Sequence, residues 1–261
     1  MNADQVRLAV ALLAAHIIAD FALQTDKDIQ NKRRWWVLIR HSLIVASLSY
    51  LLCGVWQAWP IPLAVLLTHL AFDLVKARYL TPGLNSFALD QAAHLLVIVL
   101  LVLLLPGAIP AVATPFWLSV LGVDFYAVLI ISAGLIATVQ GGSVIVGYGV
   151  EPFLEELKRD EAVNEQVAQA RRAIGRRGFT QGGKVIGQLE RAVIFVLVLA
   201  GQPSAIGFLI AAKSLLRFGD IGAGASRKEV EYIIIGTFMS FLAALVFSYL
   251  TYSALLGYSR F

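Results

Sequence analysis

The sequence predicts an all-α, polytopic transmembrane helical bundle of about eight spans with a four-helix His/Asp core. Of the 261 residues, 59% are hydrophobic and only 15% are charged, whereas soluble domains carry about 25% charged residues. Apolar runs of about 17 to 25 residues recur along the chain, and each can cross a hydrocarbon layer about 30 Å thick as a helix. Because these runs are apolar on every face, a transmembrane β-barrel, whose strands alternate with period two, is excluded.

The predicted spans set the topology. They lie at residues 6–24, 36–56, 61–79, 88–105, 125–150, 185–200, 204–218 and 230–256. An even number of spans places both termini on one side, and nearly all of the 21 Lys and Arg residues fall on or near the opposite face. By the positive-inside rule that face is cytoplasmic. We therefore expect a multi-pass membrane protein with both termini outside.

One stretch of this map has two interpretations. Residues 192–212 carry no charge, so they can form one kinked span or the two arms of a hairpin. A single span would carry Lys213 and Arg227 to the outer face, against the charge bias of the other loops. The charge pattern therefore favours the hairpin.

The chain divides into four segments: a membrane core at 1–105, an outer loop with the fifth span at 106–150, a charged cytoplasmic segment at 151–184, and C-terminal membrane helices at 185–261. The segment 151–184 is acidic in its first half and basic in its second. It is predicted to be either an amphipathic helix that contacts membrane lipids or a protein partner, or a solvated connector. Nucleic acid is excluded as a partner because the basic patch is short and has no interleaved aromatic residues.

All four histidines lie in the first four predicted spans, and three of them have an aspartate four residues away. The pairs are His16 with Asp20, His69 with Asp73, and His94 with Asp90, while His41 follows Arg40. Residues four apart share one face of a helix, and ionisable groups in a membrane face inward. With a rise of about 1.5 Å per residue, all seven groups fall in one layer in the cytoplasmic half of the bilayer.

This layer favours a metal site, with a proton or ion relay and a purely structural network as alternatives. Imidazoles with carboxylates are the ligands of zinc and related divalent transition metals. We expect three histidines as direct ligands and two aspartates as ligands or as groups that orient the imidazoles. The ligand set is His16, His69, His94, Asp20 and Asp73. Asp90 or His41 is the expected catalytic general base, and Arg40 and Lys76 are expected to bind an anionic substrate.

Several of these residues also carry a resemblance to a known family. The residues that carry it are His16, Ala19, Asp20, Phe21, Gln24, His41, His69, Asp73, Lys76, Asp90, Gln91 and His94. With these residues the chain resembles the domain-of-unknown-function 3307 family of bacterial membrane proteins over about residues 6–105. More loosely, the pattern is similar to bacterial membrane-bound metal-dependent hydrolases. These similarities imply a hydrolase of the bacterial inner membrane. The depth of the polar layer then favours a phosphoester or amide in a lipid-linked or membrane-surface substrate, at a site open to the cytoplasm.

Two other functions remain open. A metal or proton transporter would need a polar stripe that reaches the outer face, but the outer halves of the first four spans contain no Asp, Glu, Lys or His. A noncatalytic scaffold would recruit a protein through residues 151–184.

The second half of the chain has its own polar residues. Arg191, Lys213 and Arg217 can bind a phosphate or a lipid headgroup, or they can be neutralised by Glu190 and Glu231.

Overall fold

The computed structural model describes residues 2–104, 115–163, 182–221 and 226–260, with the side chains of 161–163 and 216–221 excepted. Every element within these ranges is helical. The helices are α1 (Ala3–Ile17, followed by a π-helical segment Ile18–Leu23), α2 (Asp26–Gln30), α3 (Trp35–Cys53), α4 (Pro60–Tyr79), α5 (Leu84–Leu104), α6 (Phe116–Leu121), α7 (Asp124–Ile136, followed by a π-helical segment Ala137–Gly141), α8 (Gly142–Val163), α9 (Gly182–Leu199), α10 (Ala205–Ile221) and α11 (Arg227–Tyr258). The predicted all-α class is confirmed for the part of the chain that the structure describes.

Six of the described helices are long and apolar enough to cross a membrane. They are Ala3–Leu23, Trp35–Cys53, Pro60–Tyr79, Leu84–Leu104, Asp124–Asp160 and Arg227–Tyr258. This finding fits a multi-pass membrane protein, but the predicted count of eight is not confirmed. The two missing spans correspond to α9, which carries Lys184, Glu190 and Arg191, and to α10, whose apolar part Ala205–Leu215 is short.

The first of two compact units comprises Met1–Ile136 and Ser253–Phe261. Within it α1 contacts α3, α5 and α7, and α4 contacts both α3 and α5. Ala11, Leu12, Val45 and Ile61 lie at the centre of one buried cluster. A second cluster joins Ala14 of α1 to Tyr126 of α7 and to Tyr258, which ends α11. The Tyr258 hydroxyl also donates a hydrogen bond to the Val123 carbonyl at 3.3 Å.

Local sequence signals explain where several of these helices begin and end. Asn2 and Gln5 form a reciprocal capping box at the start of α1, and Thr25 and Asp28 form another at α2. Such caps satisfy backbone N–H groups that lack partners in the first helical turn. Gly54 ends α3 with φ of 63°, a left-handed conformation that glycine adopts without steric cost.

The π-helical segment that follows α1 holds Asp20. A π-helix adds one residue to each hydrogen-bonded turn, and such segments are frequent at functional sites. The buried neighbour Ala19 packs in the cluster that contains Val45 of α3. The segment therefore presents Asp20 from a helix that stays packed in the core.

The second unit is Ala137–Tyr252. Its core contains Ile194 and Val198 of α9, Ile206 of α10, and Phe241 and Ala244 of α11. The chain turns after α9 through Gly201, which has a φ of 70°. Glu190 and Lys213, about equally far from this turn, form an ion pair. The chain therefore reverses direction between α9 and α10, as the hairpin interpretation predicts.

Most of the predicted charged segment falls outside the described residues. Its first part, residues 151–163, continues α8. The amphipathic or partner-binding role of residues 164–181 is a prediction that concerns residues outside the described ranges.

Candidate metal centre

Four donor atoms converge in the first unit from three helical elements. Asp20 comes from the π-helical segment after α1, His41 from α3, and His69 and Asp73 from α4. The two imidazole Nε2 atoms lie 3.1 Å apart. Asp20 Oδ1 lies 3.3 Å from His41 Nε2 and 3.6 Å from His69 Nε2. Asp73 Oδ2 lies 3.8 Å from each nitrogen.

These spacings are close to those around a tetrahedral metal ion. Zinc bonds to imidazole nitrogen and carboxylate oxygen are about 2.0–2.2 Å long, which sets the ligand atoms about 3.3–3.6 Å apart in a tetrahedron. The five measured distances run from 3.1 to 3.8 Å. Small side-chain shifts therefore suffice to place Asp20 Oδ1 and the two Nε2 atoms around one ion, with Asp73 Oδ2 close to both nitrogens.

The donors are buried, and two of them are unsatisfied. His41, His69 and Asp73 are at most 4% exposed. Among the described residues, Asp20 Oδ1 and Asp73 Oδ2 lack a hydrogen-bond partner although both are buried. An unpaired buried carboxylate oxygen is costly, and a cation would relieve this cost for both oxygens at once.

The second carboxylate oxygens of Asp20 and Asp73 contact residues other than the four donors. Asp73 Oδ1 accepts a hydrogen bond from Lys32 Nζ at 2.9 Å. Asp20 Oδ2 accepts one from Gln91 Nε2 at 3.4 Å and lies 3.8 Å from His16 Nδ1. His16 Nε2 in turn lies 3.1 Å from Gln91 Oε1. Partners of this kind fix the orientation of metal ligands.

His16 also belongs to a second group of possible donors. His16, Asp20 and His69 each offer one possible ligand atom, and these three atoms lie within 4.8 Å of one another. Because Asp20 and His69 belong to both groups, His16 lies at the edge of the same site.

His94 and Asp90 lie beside these groups. His94 Nδ1 lies 2.7 Å from the carbonyl oxygen of Asp90, and its buried Nε2 has no hydrogen-bond partner among the described residues. The His94 ring is 4.3 Å from the His69 ring, centroid to centroid. Asp90 Oδ2 accepts a hydrogen bond from Lys76 at 2.5 Å. Neither residue belongs to the two donor groups within the described chain, so their predicted roles stay predictions.

The two cations predicted to bind substrate are both engaged with carboxylates. Lys76 pairs with Asp90 and lies 5.7 Å from the centre of the Phe87 ring. Arg40 pairs with Asp28 and lies 4.9 Å from the centre of the Trp36 ring. Hydrogen bonds from Thr25 and Arg40 lower the pKa of Asp28. A substrate would therefore have to share these cations with Asp28 and Asp90.

Sequence reasoning missed Lys32 as part of this site. Its ammonium group is largely buried, which disfavours the charged form, but Asp73 and Asp20 outweigh burial and raise its pKa. Lys32 lies in the connection between α2 and α3, where no helical spacing relates it to Asp73. The sequence shows an excess of basic residues in this connection, but it does not indicate which of them contacts Asp73.

The charges around the site do not balance. Asp20, Asp73 and Asp90 supply three negative charges, and Lys32 and Lys76 supply two positive ones. With neutral imidazoles, one negative charge remains. A divalent cation would change this to one positive charge, which favours an anion or water as a further ligand.

Comparison with known proteins agrees with the resemblance predicted from the motif residues. Residues 8–120 match the model of a family described as a protein of unknown function (DUF3307). This match covers α1 from its second turn through the short helix α6, and it includes every residue of the candidate metal centre. No curated protein and no solved structure matches the chain.

Proposed function

We propose that the chain is a membrane-embedded, metal-dependent hydrolase that uses zinc bound by Asp20, His41 and His69. The observation that carries the proposal is the convergence of these donors and Asp73 at near-tetrahedral spacing. Divalent transition metals suit such mixed nitrogen and oxygen sites, and zinc is the commonest tetrahedral example.

The arrangement also suggests how the site stays open. Catalytic zinc sites commonly use three protein ligands and leave the fourth position to water or substrate. Asp20 Oδ1 is closer than Asp73 Oδ2 to both imidazole nitrogens. We assign Asp20 as the third ligand. Asp73 would then be free to accept a proton from water, taking the general-base role predicted for Asp90 or His41.

His41 becomes a ligand in this assignment. His16 orients Asp20 through Oδ2 and through Gln91, while His94 packs against His69. The ligand set expected from spacing changes accordingly, because His41 joins it while His16, His94 and Asp73 are no longer assigned as ligands.

The substrate is proposed to be anionic and to lie at the membrane surface. Lys32 pairs with Asp73, Lys76 pairs with Asp90, and Arg40 precedes the proposed ligand His41 in the chain, with side-chain exposures of 15%, 23% and 45%. A divalent ion with nearby ammonium groups stabilises negative charge that develops on a phosphoryl or carbonyl oxygen. A lipid-linked phosphoester is the substrate that this charge favours, with an amide as the alternative.

We also propose the finer topology on the basis of the charge distribution. The helices α9 and α10 serve as the sixth and seventh of eight spans in the inner membrane of a bacterial cell. Both termini then lie outside, and the candidate metal centre opens to the cytoplasm. The paired charges of Glu190 and Lys213 reduce the cost of placing these arms in the bilayer.

The open coordination position can be tested before the substrate is known. The detergent-purified full chain is loaded with cobalt(II), whose visible absorption reports the number of its ligands. We expect a four-coordinate spectrum that changes when azide is added, because azide enters the open position. Failure to bind cobalt, or a spectrum that azide does not change, would contradict an open catalytic site.

Hydrolysis is then tested with bis(p-nitrophenyl) phosphate, p-nitrophenyl phosphate and a p-nitroanilide amide. The zinc-loaded chain is expected to cleave at least one phosphoester, and Asp73→Asn to reduce the rate by about 100-fold or more, the usual contribution of a general base. Ser49→Ala is the matched control, since Ser49 is buried on α3 but is not a donor. Equal rates in wild type and Asp73→Asn would exclude the proposed role of Asp73.

A further inference from the structure

A buried arginine in the second unit has no acidic hydrogen-bond partner among the described residues. Arg191 lies in the middle of α9 and is 3% exposed. Its Nε and Nη2 donate hydrogen bonds to the carbonyl oxygen of Val139, Nη2 also to Ser143, and Nη1 to Ser240. Among the described residues every hydrogen-bond acceptor of this guanidinium is neutral.

The neighbouring glutamate does not supply the missing negative charge. Glu190 forms its ion pair with Lys213, across the turn between α9 and α10. The three charged groups Glu190, Arg191 and Lys213 therefore carry one net positive charge. A buried charge without a counter-charge is costly, and the cost is greater in a membrane protein. An anion from outside the chain would balance it.

Space for such an anion lies next to the arginine. A cavity of about 500 Å³ is lined by Arg191 and Lys213 together with residues of α8, α9 and α11. Lys184, Tyr232 and Thr237 also line it, and no acidic side chain does within the described chain. Small-molecule sites typically occupy about 300–1,000 Å³, so the cavity can hold a phosphorylated headgroup.

The lining allows a ligand to approach the guanidinium closely. Gly187 lies one turn before Arg191 on α9, and a Cβ atom built there would come within 3.3 Å of Nη1. One of the five guanidinium N–H groups has no acceptor among the described residues, since Nη1 donates only to Ser240. The arginine thus retains a donor that an oxyanion can use.

We propose that this cavity binds a phosphate group, carried by an anionic phospholipid or by a free phosphorylated solute. Arginine and lysine together match a phosphate because both donate charge-assisted hydrogen bonds to its oxygens. The nearby Tyr232 hydroxyl can donate to a further oxygen, whereas the Thr237 hydroxyl already donates to the carbonyl oxygen of Ile233. Basic pockets between membrane helices are a known mode of lipid headgroup binding. This site is separate from the proposed hydrolase and does not depend on it.

The test uses the full chain in detergent with inorganic phosphate, and in nanodiscs of phosphatidylcholine with or without phosphatidylglycerol. The thermal unfolding midpoint reports binding, and native mass spectrometry reports retained lipid. We expect wild type to be stabilised saturably, and Arg191→Lys to weaken the apparent affinity at least tenfold because lysine lacks the fork of donors. Arg159→Met is the matched control, as this α8 arginine is 80% exposed.

Gly187→Ala provides a second variant that keeps the arginine. Its methyl group crowds Nη1, so we expect a similar loss of affinity even if Arg191→Lys does not fold. Stabilisation by inorganic phosphate identifies a free solute as the source, whereas stabilisation and retained lipid only with phosphatidylglycerol identify a headgroup. The proposal is overturned if neither probe stabilises wild type, if Gly187→Ala binds as wild type does, or if Arg159→Met loses as much affinity.

Discussion

His41 and His69 face each other through their Nε2 atoms at 3.1 Å, across the contact between α3 and α4. Without a cation, one nitrogen must donate a proton and the other must accept it. Asp20 Oδ1 lies within 3.6 Å of both nitrogens. A metal ion bound to both Nε2 lone pairs would require the donating imidazole to carry its proton on Nδ1 instead, so that both rings bind as neutral ligands.

The first prediction concerns metal content. His41→Ala and His69→Ala are each expected to lower the zinc affinity of the purified chain at least tenfold, because each removes a proposed ligand. Inductively coupled plasma mass spectrometry after dialysis against dilute zinc measures the bound metal. Ser49→Ala should retain the metal of wild type. Full zinc occupancy in both histidine variants would exclude this site.

The second prediction separates the two aspartates. Asp20→Asn is expected to lose zinc, because it removes a proposed ligand, whereas Asp73→Asn is expected to keep zinc and lose hydrolysis. The same metal analysis, run beside the phosphoester assay, measures both properties. If Asp73→Asn also loses its zinc, Asp73 is a fourth ligand and the site is closed and structural.

The third prediction concerns Lys32, whose ammonium group pairs with buried Asp73 at 2.9 Å. Lys32→Met leaves that carboxylate without its partner, and we expect the free energy of unfolding to fall by about 3 kcal/mol, as when other buried pairs are broken. Denaturation of the metal-free protein in detergent measures the loss. The loss should be smaller with zinc bound, because the ion would compensate Asp73. An equal loss with and without zinc would argue against an ion beside Asp73.

The pH dependence of this pair is a separate prediction. The pKa of Lys32 is raised in the folded chain, so its stabilising effect is complete below the unfolded pKa and is lost as pH rises through the folded one. The difference in unfolding midpoint between wild type and Lys32→Met should therefore stay constant from pH 7 to 9 and shrink above about pH 10.4, the ordinary lysine value. A difference that already shrinks near pH 8 would show that the lysine is not held charged.

The fifth prediction concerns the hairpin between α9 and α10. If both arms cross the membrane, a cysteine introduced by Gln202→Cys reacts with an impermeant maleimide added outside intact cells. The native Cys53 is buried and should stay unlabelled, which provides the background. Lys228→Cys is the cytoplasmic control, and its cysteine is expected to react only after the cells are opened. Labelling of Gln202→Cys only in opened cells would leave six spans.

The helical class and the register of the histidines could be predicted from sequence because helical spacing is a local property. The pairs His16 with Asp20, His69 with Asp73, and His94 with Asp90 each lie within 3.8 Å, as residues four apart on a helix should. The rotation of one helix relative to another depends on how their side chains pack, and the spacing of residues along the sequence does not determine that packing. For that reason the closeness of His41 to His69, and of Lys32 to Asp73, could not be predicted.

The predicted count of eight spans stays unconfirmed for a related reason. Hydropathy and charge bias favoured eight spans, but α9 carries charges that pair with other parts of its own unit, such as Glu190 with Lys213. Sequence alone does not say whether such charges lie at a surface or are neutralised inside a bundle. The helices themselves could be predicted, whereas their relation to the membrane could not.

Tyr258 packs against Tyr126 with ring centroids 6.0 Å apart, although the two residues are far apart in the chain. The first unit therefore needs residues that the ribosome makes only after the whole second unit. During synthesis the helices that carry the histidines are inserted early, yet the face of α7 around Tyr126 stays uncovered until the end of α11 emerges. Assembly of the first unit must then wait for the end of α11, and a nascent chain that stalls before it would expose an aromatic surface to the insertion machinery.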